Sequence, residues 1–460
     1  MLLFFDRGTI VAEKDPSENG RLAFLPGYFL WDNRTSCWRA PAYFLPAFRG
    51  WLEKRRIPFT YRSPRPESFS PVPVPPERLP DLRPYQRDAL EAWSAAGRRG
   101  LVALPTGSGK TRLAIRAMLL VGKPSLVVVP TCQLLHQWRA AIAEFYPGPV
   151  GIQGDGEHRL EPITVATYES AHRHLDLLGD HFDLLVVDEA HHLSSQEVAE
   201  TARMSTARFR LGLSATFPEM TIHGQVFEDL LGPLCFALPM ARLTGRYLAP
   251  FDLKVIPLRL TPEEQALYDS CRTAFWLQFR PFIQMHPEAG WLDFVRAASQ
   301  SPAGREALAA LRKSREILSL SHAKVHAIDQ LLDLHRDEAK LVFTADNRAA
   351  YEISRRFLIP AITCDIGRAE REKILARFRE GTYRALVSAK VLNEGFDVPA
   401  ASVAIVAGGT QSPLEHAQRV GRILRPADGK KAIVYELVVP GTSDWKTSER
   451  RSRSPVFQNL

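Results

Sequence analysis

The stretch Leu101-Val102-Ala103-Leu104-Pro105-Thr106-Gly107-Ser108-Gly109-Lys110-Thr111 constrains the fold of this chain more than any other. An apolar strand runs into a glycine-rich turn, and a helix with apolar residues at Leu113, Ala114, Ile115 and Met118 follows. A strand leaving through a tight turn into a covering helix is the repeating unit of α/β folds. Gly107 and Gly109 carry no Cβ, so the backbone N–H groups of the turn, with Pro105, Thr106 and Ser108, can close around a phosphate. Lys110 can reach β- and γ-oxygens, Thr111 can hold Mg²⁺ through its hydroxyl, and the helix adds its positive end. The general pattern G-x-x-x-x-G-K-[ST] is broken at one place, where Leu104 stands for its first glycine. A chance glycine-rich turn is the alternative; the flanking strand and helix and the motifs downstream argue against it.

Those motifs come in a fixed order. Upstream, Leu82-Arg83-Pro84-Tyr85-Gln86 opens a helix, and the Gln86 amide, with Arg83 beside it, offers one acceptor and one donor to an adenine edge. Downstream, the buried strand ahead of Asp188-Glu189-Ala190-His191-His192 delivers two adjacent carboxylates to its carboxyl end, where open α/β sheets bind ligands. Asp188 is the expected Mg²⁺ partner and Glu189 the group that orients and deprotonates a water. His191 and the turn Ser214-Ala215-Thr216 are expected to couple this site to movement, with a plain Ser/Thr turn as the alternative for Ser214 and Thr216. Thr131, Thr167, Thr344 and Ser388 stand at strand ends, where hydroxyls take backbone phosphates or simply cap loops.

In the second half, Gly395 lets backbone approach a nucleotide and Asp397 can accept from a ribose hydroxyl. The segment Gln418-Arg419-Val420-Gly421-Arg422-Ile423-Leu424-Arg425 offers Gln418, Arg422 and Arg425 as catalytic groups, with the arginines three apart on or near one helical face. Such arginines, projected into the γ-phosphate site of another domain, stabilise charge in the transition state; a solvated basic helix is the alternative.

The 460 residues predict two to four domains. Residues 1–62 read as a small α+β domain whose aromatics form a core or stack on nucleic-acid bases. The proline-dense 63–81 reads as an extended spacer. Residues 82–245 read as one doubly wound α/β domain, and 246–260 with 321–445 as a second. Residues 261–320 read as a helical insertion whose arginines touch DNA or merely pack. Residues 446–460 read as a basic, mobile tail. A net charge of +8 leans towards a polyanionic partner without proving one. The five dispersed cysteines give no zinc or disulfide pattern and are expected to be buried thiols in a reducing compartment. No apolar run approaches a membrane span, so the expected location is the cytoplasm.

Together, P-T-G-S-G-K-T, D-E-A-H, S-A-T and Q-R-V-G-R-I-L-R resemble a superfamily 2 helicase. L-R-P-Y-Q, V-V-P-T, F-R-L-G-L-S-A-T-F, F-L-I-P-A-I-T and L-N-E-G-F-D-V-P are similar to the compact archaeal and bacterial XPB-type helicases, from Leu82 to about Gly441. Residues 1–62 match that family's damage-recognition domain by position only. The resemblance implies two RecA-like parallel-sheet domains in tandem and a thumb-like insertion. It further implies ATP and Mg²⁺ as cofactors, DNA as substrate, 3′-to-5′ unwinding or duplex opening in nucleotide excision repair, a nuclease partner as in some members, and a place at the prokaryotic nucleoid. Where the family often carries an Arg-Glu-Asp element for opening DNA, this chain has Glu219-Met220-Thr221. A double-strand translocase that never separates strands, and an ATP-gated clamp or nuclease scaffold, are the rival functions; Glu189 argues against a clamp, which needs no water-activating base. A small-molecule kinase would not need Arg422 and Arg425.

Overall fold

The structure, a computed structural model, describes residues 1–13, 25–63, 65, 69–215, 222–239, 242–243, 247, 251–389, 401–408 and 432–452. They form two compact units, Met1–Pro239 and Met240–Leu460.

The first unit holds two sheets. The smaller comprises β1 (Leu2–Asp6), β2 (Thr9–Glu13), β3 (Leu30–Asp32), β4 (Cys37–Pro41) and β5 (Thr60–Arg62), in the order β3-β4-β2-β1-β5. Asp6 pairs with Thr9, leaving Arg7 and Gly8 as a two-residue turn with both φ angles positive, 46° and 76°. That is the turn whose twist suits an antiparallel hairpin. Helix Leu45–Lys54 lays Leu45, Phe48 and Leu52 on Leu3, Ile10 and Phe29. Most of the aromatic residues of 1–62 are thus core, whereas Trp31 is half exposed.

The larger sheet contains β6 (Arg99–Ala103), β7 (Ser125–Val129), β8 (Val150–Gly154), β9 (Glu157–Arg159), β10 (Ile163–Thr167), β11 (Leu184–Val187), β12 (Phe209–Ser214) and β13 (Leu234–Ala237). Their order is β13-β6-β12-β11-β7-β10-β8-β9, parallel throughout except the β8–β9 hairpin. β7, β10 and β11 are buried along their whole length, which explains why β7 and β11 read as near-continuous apolar runs instead of alternating ones. Each fully buried valine or leucine contributes roughly 1.5–3 kcal/mol.

The proline-dense segment between the sheets is not a free spacer. Arg65 pairs with Asp183 at 2.7 Å, Phe69 packs edge-on against Phe182, and the Val72 N–H donates to the Tyr146 hydroxyl at 3.0 Å. Prolines cannot donate to a ladder, so residues 69–75 join no helix or strand, and Arg65, Phe69 and Val72 bind the domain beneath. Asp180 joins this seam, accepting from Tyr61 at 2.5 Å, Ser63 at 2.8 Å and Thr206 at 3.1 Å.

The second unit is built on β14 (Phe251–Pro257), β15 (Lys340–Phe343), β16 (Ala361–Ile362), β17 (Ala385–Ser388), β18 (Val403–Val406) and β19 (Ala432–Val438). All pair in parallel, in the order β14-β19-β18-β15-β17-β16. Helices Pro262–Met285, Trp291–Ser299 and Pro302–Ser319 intervene between β14 and β15 around Phe275, Phe294, Ala298 and Leu311. The fold is therefore α/β with two RecA-like parallel-sheet domains, a small α+β domain and a helical insertion.

Two expectations need correction. Residues through Ser452 are not a mobile tail: Ser443–Ser452 is a helix, and its buried Arg451 donates to Glu436 at 3.3 Å. Glu436 is itself buried on β19, and a buried carboxylate calls for a counter-charge. Nor are all the cysteines buried, since Cys132 and Cys364 are exposed thiols. No described helix is long and apolar enough to cross a membrane.

Candidate active site

The phosphate-type loop leaves the carboxyl end of β6, the second strand from one edge of the larger sheet. Leu104, at the position where the general pattern has glycine, is fully buried and does not have a left-handed φ, so the fold accepts its side chain. Its N–H donates to the Ser214 carbonyl at 2.9 Å, tying the loop to the end of β12. Gly107 and Gly109 take φ of 83° and 80°, which a side chain would strain. A Cβ at Gly109 would also lie 2.6 Å from Gln86 Nε2. Helix Lys110–Val121 starts there. The hydroxyls of Thr106 and Ser108 are buried in the loop with no protein partner, as expected of groups that serve a ligand. Lys110 Nζ donates to the Leu104 carbonyl at 3.2 Å.

Gln86 sits beneath this loop on helix Pro84–Ala95. Its Nε2 donates to the carbonyls of Ser108 (2.8 Å) and Gly109 (3.2 Å), and its Oε1 accepts from the Arg83 N–H at 2.8 Å. Tyr85 donates to the same Ser108 carbonyl at 2.7 Å, and Arg83 donates to the Tyr85 hydroxyl at 3.2 Å. In this arrangement the Gln86 carboxamide braces the loop, and contact with an adenine would exchange those bonds.

Asp188 and Glu189 follow β11, two strands from β6 across β12. Asp188 is buried, and both oxygens are held: Oδ2 by the Trp138 indole N–H at 2.8 Å, Oδ1 by the Glu189 N–H at 3.0 Å. Burial first, and the neighbouring Glu189 charge second, push its carboxyl up to about 6, while the Lys110 charge pulls the other way. Lys110 and Asp188 therefore share one electrostatic environment. Glu189 adopts φ of 49°, a left-handed backbone that costs a non-glycine residue about 1–3 kcal/mol. The Tyr168 hydroxyl donates to the Asp188 carbonyl and, at 3.3 Å, to that of Glu189, holding the turn. His191 Nδ1 lies 3.4 Å from Glu189 Oε2, and His192 packs between His191 and Tyr168. Ser214 is fully buried beside Ala103 at the carboxyl end of β12, between the loop and the acid pair.

The strand-end hydroxyls are engaged locally. Thr131 and Thr167 cap helices Cys132–Ala143 and Tyr168–Leu178, accepting from Leu134 and Ser170 N–H at 3.2 Å each. Thr344 donates to the Asp346 carbonyl at 3.0 Å, and Ser388 to that of Ile362 at 3.0 Å; both side chains are buried. Thr216, Gly395, Asp397, Gln418, Arg422 and Arg425, and the Glu219-Met220-Thr221 element, lie outside the described residues.

Sequence reasoning missed Trp138, Tyr168 and Tyr85 as members of the site. One signal was legible: a tryptophan on the buried face of the helix after a core strand needs an acceptor for its N–H. The site fits a magnesium nucleotide. Mg²⁺ takes one or two carboxylates plus substrate phosphates, and the Asp188 carboxylate with the Thr111 hydroxyl is an oxygen set of that kind.

Known proteins resemble this chain over most of its length. Residues 3–62 match the Xeroderma pigmentosum group B helicase damage recognition domain, 79–219 the Type III restriction enzyme res subunit, and 323–427 the helicase conserved C-terminal domain. The chain is 37% identical over 383 residues to the DNA 3′-5′ translocase XPB2 of Sulfurisphaera tokodaii, covering 83% of this chain and 86% of that relative. It is 30% identical to the DNA 3′-5′ helicase XPB of Mycobacterium tuberculosis over 81% of this chain, and spans 63% of that longer protein. Among solved structures, yeast Dbp5 bound to RNA and ADP BeF3 superposes with TM-score 0.59 at 16% identity, over 84% of this chain and 92% of that one. The Pyrococcus furiosus Hef helicase domain gives 0.54 at 18%, over 83% of this chain and all of that one.

Proposed function

The chain belongs to the XPB family of superfamily 2 helicases, and from that premise we propose that it is an ATP-driven motor that moves 3′ to 5′ along DNA and opens duplex in nucleotide excision repair. The observation that carries the reading is the joining of three sequence motifs at one edge of the larger sheet. The loop of Lys110, the Asp188–Glu189 pair and Ser214 stand on adjacent strand ends, with a Leu104–Ser214 backbone bond between the first and last.

In this reading the loop N–H groups and Lys110 bind the triphosphate, and Thr111 with Asp188 holds Mg²⁺, which supplies charge neutralisation at the transferred phosphoryl group. Glu189 aligns the attacking water and takes its proton. Gln86 and Arg83 border the adenine, Gly395 and Asp397 approach the nucleotide, and Gln418, Arg422 and Arg425 complete the γ-phosphate site from the second RecA-like domain. Thr131 and Thr167 mark the strand ends that meet the DNA backbone in the first domain, and the β15 and β17 ends, where Thr344 and Ser388 are buried against carbonyls, are their counterpart in the second. The insertion arginines are further phosphate partners, a nuclease is the expected protein partner, and the cytoplasmic nucleoid is the expected location.

A second reading, translocation on duplex DNA without strand separation, is favoured by the translocase name of the 37%-identical relative and by Glu219-Met220-Thr221 in place of the opening element. ATP turnover measured with single-stranded, forked and duplex DNA and with RNA, beside fork-unwinding and triplex-displacement assays, decides between them. Turnover that no DNA stimulates, or that survives Lys110→Ala, would overturn both.

A further inference from the structure

Two residues outside the recognised motifs already hold the acid pair, and each belongs to an element that begins at a strand-end threonine. Trp138 is 1% exposed and donates to Asp188 Oδ2 at 2.8 Å from the helix that Thr131 caps. Tyr168 opens the helix that Thr167 caps and donates to the Asp188 carbonyl and the Glu189 carbonyl. The sheet order β11-β7-β10 explains the convergence. Asp188 follows β11, the Trp138 helix follows β7, and the Tyr168 helix follows β10. In the β7–β10 register Thr167 pairs with Val129, and the Asp188 N–H donates to the Val128 carbonyl. All three ends therefore stand at one level, and Tyr168 spans the end of β7, roughly 10 Å of sheet, to reach the acid pair.

We propose that Trp138 and Tyr168 are positioning residues that transmit contact at the Thr131 and Thr167 strand ends to the Asp188–Glu189 pair. The proposal rests on the motor reading above and deepens it. Either threonine can donate its O–H to a phosphate while the same oxygen accepts from the first turn of its helix, so a phosphate bound there shares that oxygen with the turn and adjusts it. Each helix carries one side chain bonded to the acids, so the adjustment reaches Asp188 and the left-handed Glu189 peptide directly. Trp138 sets the direction of the carboxylate, and Tyr168 sets the peptide plane from which Glu189 projects. A purely structural role would lower stability and all rates together.

The experiment uses the full chain with Trp138→Phe and Tyr168→Phe, which keep an aromatic side chain and remove one donor each. ATP turnover is measured without DNA and with saturating single-stranded oligonucleotide, together with KM for ATP and Kd for the oligonucleotide. The expected result is a loss of about tenfold in the stimulation by DNA, the scale of one hydrogen bond, carried in kcat. KM and Kd stay within about twofold of the parent, and the DNA-free rate falls by a smaller factor. The proposal is overturned if both rates fall in the same proportion, or if only Kd changes and kcat recovers at saturation. Should Trp138→Phe fail to fold in a thermal melt, the partly exposed Tyr168→Phe carries the test alone. An unsubstituted protein that DNA does not stimulate refutes the motor reading itself, a distinct outcome.

Discussion

Replacing Asp180 with alanine should release the small N-terminal sheet and the extended strap from the larger domain. Asp180 is 6% exposed and accepts from Tyr61, Ser63 and Thr206. Thr206 keeps a second acceptor, the Gly179 carbonyl at 3.2 Å, and the exposed Ser63 can turn to water, so alanine strands the Tyr61 hydroxyl alone. A bond to a buried charged group contributes about 1.5–3 kcal/mol, which puts the loss for Asp180→Ala at about 1.5–3 kcal/mol. Asp180→Asn keeps the shape and removes the charge, and should lose about half as much. Limited proteolysis across 63–81 is the assay, read beside a thermal melt. The alanine variant should be cut there under conditions in which the parent is intact, and should melt earlier. The P-loop lies at the other end of the strands, so nucleotide affinity should hold. A variant with the melting temperature and cleavage pattern of the parent would refute the claim that this seam fastens the domain.

Other outcomes follow from the same physics. Glu189→Gln should lower turnover by about 10²–10⁴-fold while a fluorescent ATP analogue still binds; retained turnover removes Glu189 as the base. Burial lowers the pKa of His181, beside that seam, below its usual 6.5, so the unfolded chain binds the proton more readily than the fold does. Stability is then complete above pH 6.5 and declines as pH falls from there towards the depressed value, and His181→Gln should melt with a shallower dependence between pH 7.5 and 5.5. Phe275→Ala, at the centre of the insertion cluster, should cost about 3–5 kcal/mol, seen as early loss of helical circular dichroism. Arg272 and Arg280 flank Trp276, at 5.3 Å each. If they meet phosphates, changing either to glutamine should lower the salt slope of DNA binding by about one; an unchanged slope leaves them to packing.

The helical insertion carries its own signature of aromatic residues at helical spacing, and the doubly buried strands carry theirs as unbroken Val and Leu runs, because burial on both faces removes alternation. The same holds for the loop at Gly107 and Gly109, whose backbone demands are local. Fold class and the identity of the loop and the acid pair were legible for that reason. The bonds that tune the site were not. Trp138 reaches Asp188 across 50 positions of sequence, and Tyr61 reaches Asp180 across 119. Such pairs exist only once the strand order β11-β7-β10 and the seat of the N-terminal sheet are set, and no periodicity encodes a neighbour chosen by a crossover. Likewise the sequence determined that Thr344, Ser388 and Arg451 are polar, but only packing decided that the first two turn inward to carbonyls and that the third is buried against Glu436. Local rules select the elements; which side chains meet is decided by long-range topology, where a single buried polar group must find its partner or cost the fold its full desolvation.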